Sequence, residues 1–246
     1  MQAVERVASI LLAFAHVRGE QGVSELSRRL GLPKSAVHRT LDALVDTGLI
    51  ARNPATSKYY LGPRALELGM AGFGTPDLRT LAEPVMRELM EETQETVTLS
   101  YLVNTERVYA AQVESRQPVR MTITVGMRVP LYAGASGRAI LAAMSEKELD
   151  EYLAKVELRP LTGTTLFDPS SLRNALEEVR DAGYAVSFGE RDPWAAAAAA
   201  AIVTSSGRPI GSLSVCGPLA RFQGPLVKLC GEAVRDAAQK ISKMLS

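Results

Sequence analysis

The sequence predicts an α+β protein, with a small helical head that carries a β-hairpin and a larger body in which helices pack on an antiparallel sheet. Two observations predict the head. Apolar residues recur about every 3.6 residues in its helical segments, and two short β-type runs then flank a turn-rich segment. A third observation predicts the body, because strand-like runs return after residue 95 without the strict strand–helix alternation of a parallel sheet.

The head is predicted to fold as three helices and a hairpin, which is the order of a winged helix-turn-helix. Ser24 is the expected cap or first-turn residue of the second helix, and Gly31 ends that helix. Pro33 suits the start of the third helix, which Gly48 ends. The helices are expected at 4–15, 25–30 and 34–47, and the hairpin strands at 49–52 and 58–61.

The body is predicted to alternate between helical and strand-like periods. A linker helix over 63–72 and a boundary at 72–76 precede it, so the expected domains are 1–62, 63–76 and 77–246. The alanines at 195–201 favour a helix by propensity, but the Ile202–Val203 pair and the turn after it favour a strand in the second half of this segment. Helices are expected at 78–93, 136–144, 145–155, 170–182 and 224–245, and strands at 96–103, 108–114, 119–125, 185–188, 196–204 and 210–216.

The charge balance excludes a uniformly basic DNA-coating protein. The 246 residues include 28 Lys and Arg and 27 Asp and Glu, for a net charge of +1. The first 70 residues hold nine basic and six acidic side chains, so the head is basic and the body slightly acidic. This asymmetry predicts a polyanion-binding head, with a chance excess as the alternative.

The sequence predicts no metal, cofactor or membrane segment. Cys216 and Cys230 are too few for a disulfide framework and lack zinc-site spacing. The first residues lack the layout of a signal peptide, and no apolar run reaches the roughly 18 residues of a membrane span. We therefore expect a cytoplasmic protein.

The polar face of the third helix carries the candidate DNA-binding side chains. Val37, Leu41 and Leu44 fall on the opposite face and are expected to pack on the first two helices. A major groove of B-DNA admits one helix, whose side chains then contact phosphates and base edges. Arg39 is the candidate for a bidentate contact to guanine, and a merely solvated helix face is the alternative. The candidates are Arg28, Arg29, Lys34, Ser35, His38, Arg39, Arg52, Asn53 and Lys58.

A loop of small residues in the body is a candidate anion site. Residues 133–137 read AGASG and open a helix, so their backbone N–H groups are accessible and the helix dipole favours an anion there. A small carboxylate suits that chemistry. The alternative is a plain turn with Ser136 as the helix cap.

These residues resemble the IclR family of bacterial transcription regulators. The resemblance rests on LSRRLGLPKSAVHRTLDALVDTGLIARNPATSKYYLGPRALELG in the head, where Ala36 replaces a common Thr, and on GMRVPLYAGASGRAIL and GRPIGSLSVCGP in the body. It implies a winged helix-turn-helix joined by a linker helix to a GAF-like, profilin-like effector-binding domain. It also implies dimers or tetramers on double-stranded operator DNA, controlled by a small organic acid.

The resemblance also implies which residues line the effector site. Several small side chains depart from the family pattern, and Trp194 stands at a frequent Gly position. These departures suggest an enlarged cavity with an aromatic wall. They predict an effector larger than a two- or three-carbon acid, such as an aromatic carboxylate. The alternative is that the alanines simply pack against a neighbouring helix. The implied residues are Leu131, Ala135, Ser136, Gly137, Ser187, Trp194, Ala197, Ser214 and Cys216.

The sequence disfavours two other functions. A small hydrolase is disfavoured, because Arg138 breaks the Gly-x-Ser-x-Gly pattern around Ser136 and no histidine follows His38 to serve as its base. A ligand-independent DNA-binding protein is disfavoured by the near-neutral charge and by a body more than twice the size of the head. The sequence therefore predicts a non-enzymatic, effector-responsive regulator.

Overall fold

The structure is a computed structural model, and it describes residues 3–15, 17, 19–72 and 78–245. The chain forms two compact units, Met1–Thr75 and Pro76–Ser246. Most of the boundary expected at 72–76 lies outside the described residues, which include only Gly72 from it. None of the described helices has the length and apolar character that crossing a membrane requires.

The first unit has the element order predicted for a winged helix-turn-helix. Helix α2 begins two residues before the predicted start, so Gly22 is its N-cap and Ser24 lies inside the helix. The strands β1 and β2 are antiparallel, with Ala51 opposite Tyr60. The elements are α1 (Ala3–Ala15), α2 (Val23–Leu30), α3 (Lys34–Asp46), β1 (Ile50–Arg52), β2 (Tyr59–Leu61) and α4 (Pro63–Gly72).

The core of the head forms where the sequence pattern places it. The α3 residues Val37 and Leu41 are fully buried and Leu44 nearly so, and they pack with apolar side chains of the other two helices and the hairpin. Tyr59 of β2 is 1% exposed and belongs to the same cluster. This packing fixes the hairpin against the helices and leaves the polar face of α3 in solvent.

The second unit is a six-stranded, entirely antiparallel sheet with helices on both faces. The sequence predicted helices packed on an antiparallel sheet. The strand order is β5-β4-β3-β8-β7-β6. Its helices are α5 (Leu78–Thr93), α6 (Ala135–Ala142), α7 (Glu146–Lys155), α8 (Pro169–Ala182) and α9 (Pro225–Met244). Its strands are β3 (Thr96–Val103), β4 (Glu106–Val113), β5 (Arg128–Pro130), β6 (Ala185–Phe188), β7 (Ala195–Val203) and β8 (Pro209–Pro218).

The strand predicted at 119–125 is wrong. Its alternating pattern fits a strand, but the edge of β4 pairs with β5 instead, with Arg107 opposite Val129. Hydrogen bonds to side chains, rather than a strand ladder, fix this irregular segment. The Met121 carbonyl accepts from Thr96 Oγ1 at 2.7 Å, and the Ile123 N–H donates to Gln112 Oε1 at 2.9 Å.

The alanine run is a strand from its first residue, which extends the predicted strand and overrides helix propensity. It lies between β6 and β8 and forms ladders with both. Ala196, Ala198 and Ala200 are buried in the apolar cluster to which α5 and α9 contribute. Their small side chains let a helix pack closely on the sheet, as the alternative interpretation of the alanines proposed.

The two faces of the sheet differ in chemistry. Along β3 and β8, Val97, Leu99, Leu213 and Val215 point to the face covered by α5 and α9. Alternate positions point the other way, and these carry polar side chains that are largely buried from solvent. They are Thr96, Thr98, Ser100, Ser212, Ser214 and Cys216.

Candidate DNA-binding surface and effector cavity

The exposed face of α3 presents the polar residues that the sequence singled out. Lys34 and Ser35 occupy the first turn of the helix, and His38 and Arg39 follow one turn later; all four are exposed. His38 Nδ1 lies 2.8 Å from Asp42 Oδ2, so the imidazole is held along the helix surface. The first-turn N–H groups and the cationic side chains therefore lie together on one exposed surface.

The tip of the wing is organised by Glu20. Its carboxylate accepts hydrogen bonds from Thr56 Oγ1, at 2.6 Å, and from Asn53 Nδ2. These hydrogen bonds, that from Thr56 first, lower the pKa of Glu20 below its ordinary value of 4.5. Asn53 Oδ1 also accepts the N–H of Ala55 at 2.9 Å. Asn53 thus has a structural role at the tip, while Lys58 is exposed.

Two predicted DNA contacts also contribute to the structure of the head. The Arg29 guanidinium donates to the carbonyl of Ala13, at 3.3 Å, and to the buried side chain of Gln21. The Arg52 guanidinium carbon lies 5.7 Å from the centre of the Tyr59 ring, although Arg52 itself is exposed. Arg28 is exposed at the end of α2.

In the second unit, a cavity of about 50 Å³ lies between the start of α6, the polar face of the sheet and residues 121–123. It brings together six of the residues implied by the resemblance, which come from α6 and three strands. They are Ala135, Ser136, Ser187, Ala197, Ser214 and Cys216. Burial raises the pKa of the Cys216 thiol to about 12, so the thiol stays protonated.

The start of α6 is held by a buried ion pair. Gly134, with φ of 86°, is the N-cap, and its N–H donates to Glu190 Oε2 at 3.0 Å. The other carboxylate oxygen of Glu190 lies 2.5 Å from Arg138 Nη1, and both side chains are 7% exposed. Ser136 lies inside the helix, so the alternative of a turn capped by Ser136 is wrong. Because Glu190 already accepts the Gly134 N–H, this group is not available to a ligand.

Arg107, Tyr109 and Arg191 bring cationic and aromatic groups to the cavity. The guanidinium carbons of Arg107 and Arg191 lie 4.5 and 5.4 Å from the centre of the Tyr109 ring. Arg107 is 3% exposed, and burial lowers the pKa of its guanidinium. Among the described residues, no group of three or more His, Cys, Asp or Glu side chains is arranged to hold a metal ion.

Sequence comparison identifies both units. The family model of the IclR helix-turn-helix domain matches residues 3–54, and that of the bacterial transcriptional regulator IclR C-terminal domain matches residues 72–243. The chain belongs to the IclR family of transcription regulators. Both the fold and the resemblance predicted from the sequence are thereby confirmed.

Two related regulators align with nearly the whole of this IclR-family chain. The regulator KipR of Bacillus subtilis is 33% identical over 244 residues, which are 99% of this chain and 97% of KipR. The repressor AllR of Escherichia coli is 32% identical over 244 residues, or 99% and 90% of the two chains. These relatives are regulators and not enzymes, which rejects the hydrolase alternative.

Solved IclR structures share the fold. A regulator from Alicyclobacillus acidocaldarius has a TM-score of 0.87 at 26% identity and covers 99% of this chain and 98% of its own. An IclR homologue from Microbacterium hydrocarbonoxydans, solved in complex with 4-hydroxybenzoate, has a TM-score of 0.84 at 30% identity, with 99% of both chains covered.

Three residues implied by the resemblance lie outside the cavity lining, contrary to expectation. Leu131 is fully buried in the apolar core around α6. Gly137 packs against the backbone of Leu131, where a Cβ would lie 2.0 Å from the carbonyl oxygen. Trp194 is 78% exposed and provides no aromatic wall. Ala198 faces the opposite side of the sheet, so this alanine does not enlarge the cavity.

Sequence analysis missed the residues that give this IclR-family cavity its charge and its aromatic face, namely Arg107, Tyr109 and Arg191. The signal was present in the strand pattern. Hydroxyl residues alternate with apolar ones in TVTLS and SLSVC, and Arg107 and Tyr109 alternate in the same way in β4. A buried polar sheet face predicts a ligand site once the pairing of these strands is known.

Proposed function

We propose that this IclR-family regulator binds operator DNA with α3 and the wing, and that a small organic acid in the cavity controls this binding. The observation that carries the proposal is the cavity itself, which is lined by buried hydroxyls and by two arginines. Burying polar groups costs free energy unless they are hydrogen-bonded, and a polar ligand in the cavity supplies such bonds. The cavity therefore argues against a ligand-independent DNA-binding protein. The regulator would act in the cytoplasm, where its operators lie.

The DNA-binding half of the proposal assigns separate roles to separate residues. Arg39 reaches base edges, while Lys34 and Ser35 bind a phosphate at the N-terminus of α3. Arg28, Arg52, Lys58 and His38, all of which are exposed, contact the phosphate backbone of the DNA. Because Arg29 and Asn53 are hydrogen-bonded within the head, we propose that they position the helix and the wing.

The size of the effector follows from the space available. An apolar cavity that binds benzene holds about 150 Å³, whereas this one holds about 50 Å³. An acid of two to four carbons fits the observed cavity. An aromatic acid, the larger alternative, is supported by the Tyr109 ring and by the 4-hydroxybenzoate complex of the Microbacterium homologue. An aromatic acid needs more space than the cavity of about 50 Å³ provides in this structure.

We further propose that the protein acts as a dimer or tetramer on operators with dyad symmetry. Two heads that bind equivalent half-sites need centres separated by about one helical turn of DNA or multiples of it. Light scattering after size-exclusion chromatography measures the assembly, and a monomer at micromolar concentration contradicts it.

The experiment is fluorescence anisotropy with DNA from the region upstream of the gene, across a salt series and against unrelated competitor DNA. We expect sequence-selective affinity of about 10⁻⁸ M or tighter that falls steeply with salt. Acetate, pyruvate, succinate, benzoate and 4-hydroxybenzoate are then added in turn. A change in affinity with one of these acids supports the effector role. Selective DNA binding that no acid alters, together with no heat of binding by calorimetry, contradicts it.

A further inference from the structure

Arg107 is a buried cation without a matching anion. Its Nη1 donates to Ser100 Oγ at 3.0 Å and its Nη2 donates to the Tyr109 hydroxyl at 3.1 Å. Its Nε–H is buried and has no partner. No ion pair joins Arg107 to a carboxylate within the residues that the structure describes. A guanidinium has five N–H donors, so most of this binding capacity is unused at the wall of the cavity.

A second guanidinium lies beside the same ring. The Arg191 guanidinium carbon is 5.4 Å from the centre of the Tyr109 ring, and that of Arg107 is 4.5 Å away. Both arginines line the cavity. Burial lowers the pKa of Arg107, and the nearby charge of Arg191 lowers it further. Two like charges next to one cavity repel each other, and an anion placed between them removes that repulsion.

The acidic residues near the cavity do not neutralise this charge. Both oxygens of the Glu190 carboxylate are engaged, one by Arg138 and one by the Gly134 N–H. Asp192 lines the cavity but accepts the N–H of Trp194 at 2.9 Å. Among the described residues that line the cavity, Asp192 is therefore the one acidic side chain outside an ion pair, against the two cations Arg107 and Arg191.

We propose that Arg107 and Arg191 form an anion clamp that binds the carboxylate of the effector, with Tyr109 orienting both guanidiniums. This inference rests on the proposed organic-acid effector and names the residues that select it. The clamp lies beside the N-terminus of α6, where Glu190 already accepts the N–H group of Gly134. A planar guanidinium binds carboxylate oxygens in pairs, so the clamp selects ionised acids and rejects their neutral amides.

The test measures acid binding and unfolding together. Calorimetry follows the binding of pyruvate and 4-hydroxybenzoate, with pyruvamide and 4-hydroxybenzamide as neutral counterparts. We expect R107M to weaken acid binding by about 10- to 100-fold, the range for hydrogen bonds to charged groups. We expect R107K to weaken it less and the amides to bind poorly to every variant. The matched control is R128M. Arg128 lies in the adjacent strand β5, outside the cavity lining, and its guanidinium donates to Glu106.

Urea unfolding separates a clamp from a structural role. Replacing an unpaired buried charge by an apolar side chain of similar length relieves its desolvation. R107M is therefore expected to unfold at the same or a higher urea concentration than the wild type while losing acid binding. A lower unfolding midpoint with unchanged acid binding overturns the clamp. If R107M does not fold, R191M decides: binding weakened about tenfold supports the clamp, and wild-type binding overturns it.

The outcomes distinguish the two proposals. Wild-type protein that binds neither acid contradicts the organic-acid effector itself, and the clamp with it. Wild-type protein that binds an acid whose affinity is the same in R107M and R191M contradicts the clamp alone and leaves the proposed function standing.

Discussion

The side chains of Arg138 and Glu190 form an ion pair of 2.5 Å that is almost completely shielded from solvent. Glu190 also accepts the N–H of Gly134 at 3.0 Å, and Arg138 donates to the carbonyl of Val186. The pair therefore ties both the start of α6 and strand β6 to the loop that leads into β7. Two sides of the cavity depend on it.

Removing one partner of this pair is expected to destabilise the second unit. R138M leaves the Glu190 carboxylate buried without its cation, which costs about 3–5 kcal/mol in the free energy of unfolding. The double variant R138M/E190L should recover much of this loss, because no unpaired charge remains. Urea unfolding measures both. The control is R173M, which removes exposed ion pairs to Glu146 and Asp150 and should cost less than about 1 kcal/mol. Equal losses for R138M and R173M would contradict the role assigned to the buried pair.

Base contacts and phosphate contacts predict different responses in DNA binding. R39A should cost about 1–3 kcal/mol on the operator and relax its sequence preference. K58A should weaken binding to all sequences alike and reduce the slope of log K against log salt by about one. Anisotropy on operator and scrambled DNA checks both variants. K228A, which alters an exposed residue of α9, is the control and should match the wild type. If R39A loses operator and scrambled binding equally, Arg39 does not contact bases.

The wing is expected to loosen in acid through Glu20. The hydrogen bonds from Thr56 and Asn53 lower the pKa of this carboxyl in the folded head. A lowered folded-state pKa means that the stabilisation is complete above the ordinary value of 4.5 and is lost as the pH falls through the folded value. Amide hydrogen exchange at Ser57, which donates to the Asn53 carbonyl at 2.9 Å, should show less protection at about pH 3 than at about pH 6.

The E20A variant should lose this pH dependence, because it has no carboxyl at the wing to titrate. Its Ser57 amide should be poorly protected at both pH values. E67A, at an exposed position of α4, should keep the wild-type profile. A wing that responds to acid equally in E20A would place the titrating group elsewhere.

Gly137 is expected to tolerate no side chain. A Cβ at this position would lie 2.0 Å from the Leu131 carbonyl oxygen, and a backbone atom cannot rotate away as a side chain can. G137A should therefore destabilise the second unit by about 3 kcal/mol, the upper part of the range for overpacking. G163A is the comparison, because nothing lies within 4 Å of a Cβ there. Thermal unfolding that ranks the two variants alike would refute this close packing.

The sequence predicted most elements because their signals are local. Asp168 caps α8 through its side chain, which accepts the Ser171 N–H at 2.8 Å, and Ser145 and Glu148 form a capping box at the start of α7. The failure at 119–125 has a different origin. An alternating pattern indicates that a segment can be a strand, but whether it becomes one depends on a free sheet edge. Here β5 pairs with the edge of β4 that the segment 119–125 would need.

Local sequence pattern likewise predicts one part of the candidate site, the face of α3, but not the other, the cavity. The exposed face of α3, which carries the candidate DNA-binding residues, follows from helical periodicity within 13 residues. The cavity residues come from strands that are far apart in sequence, such as Arg107 in β4 and Ser214 in β8. Trp194 shows that family resemblance can also place a residue wrongly, because this residue, which the resemblance implied in the cavity, is exposed in this chain.

By itself, the sequence determined the two-part organisation, the apolar and polar faces of α3 and the family to which the chain belongs, because each of these depends on local pattern. Only the tertiary structure decided that Arg107 and Arg191 share one aromatic ring and that Glu190 occupies the start of α6. The physical reason is strand pairing. The register between β3, β4 and β8 brings polar residues that are far apart in the sequence onto one buried face of the sheet. That a buried guanidinium lacks a carboxylate partner becomes visible only when its neighbours in space are known.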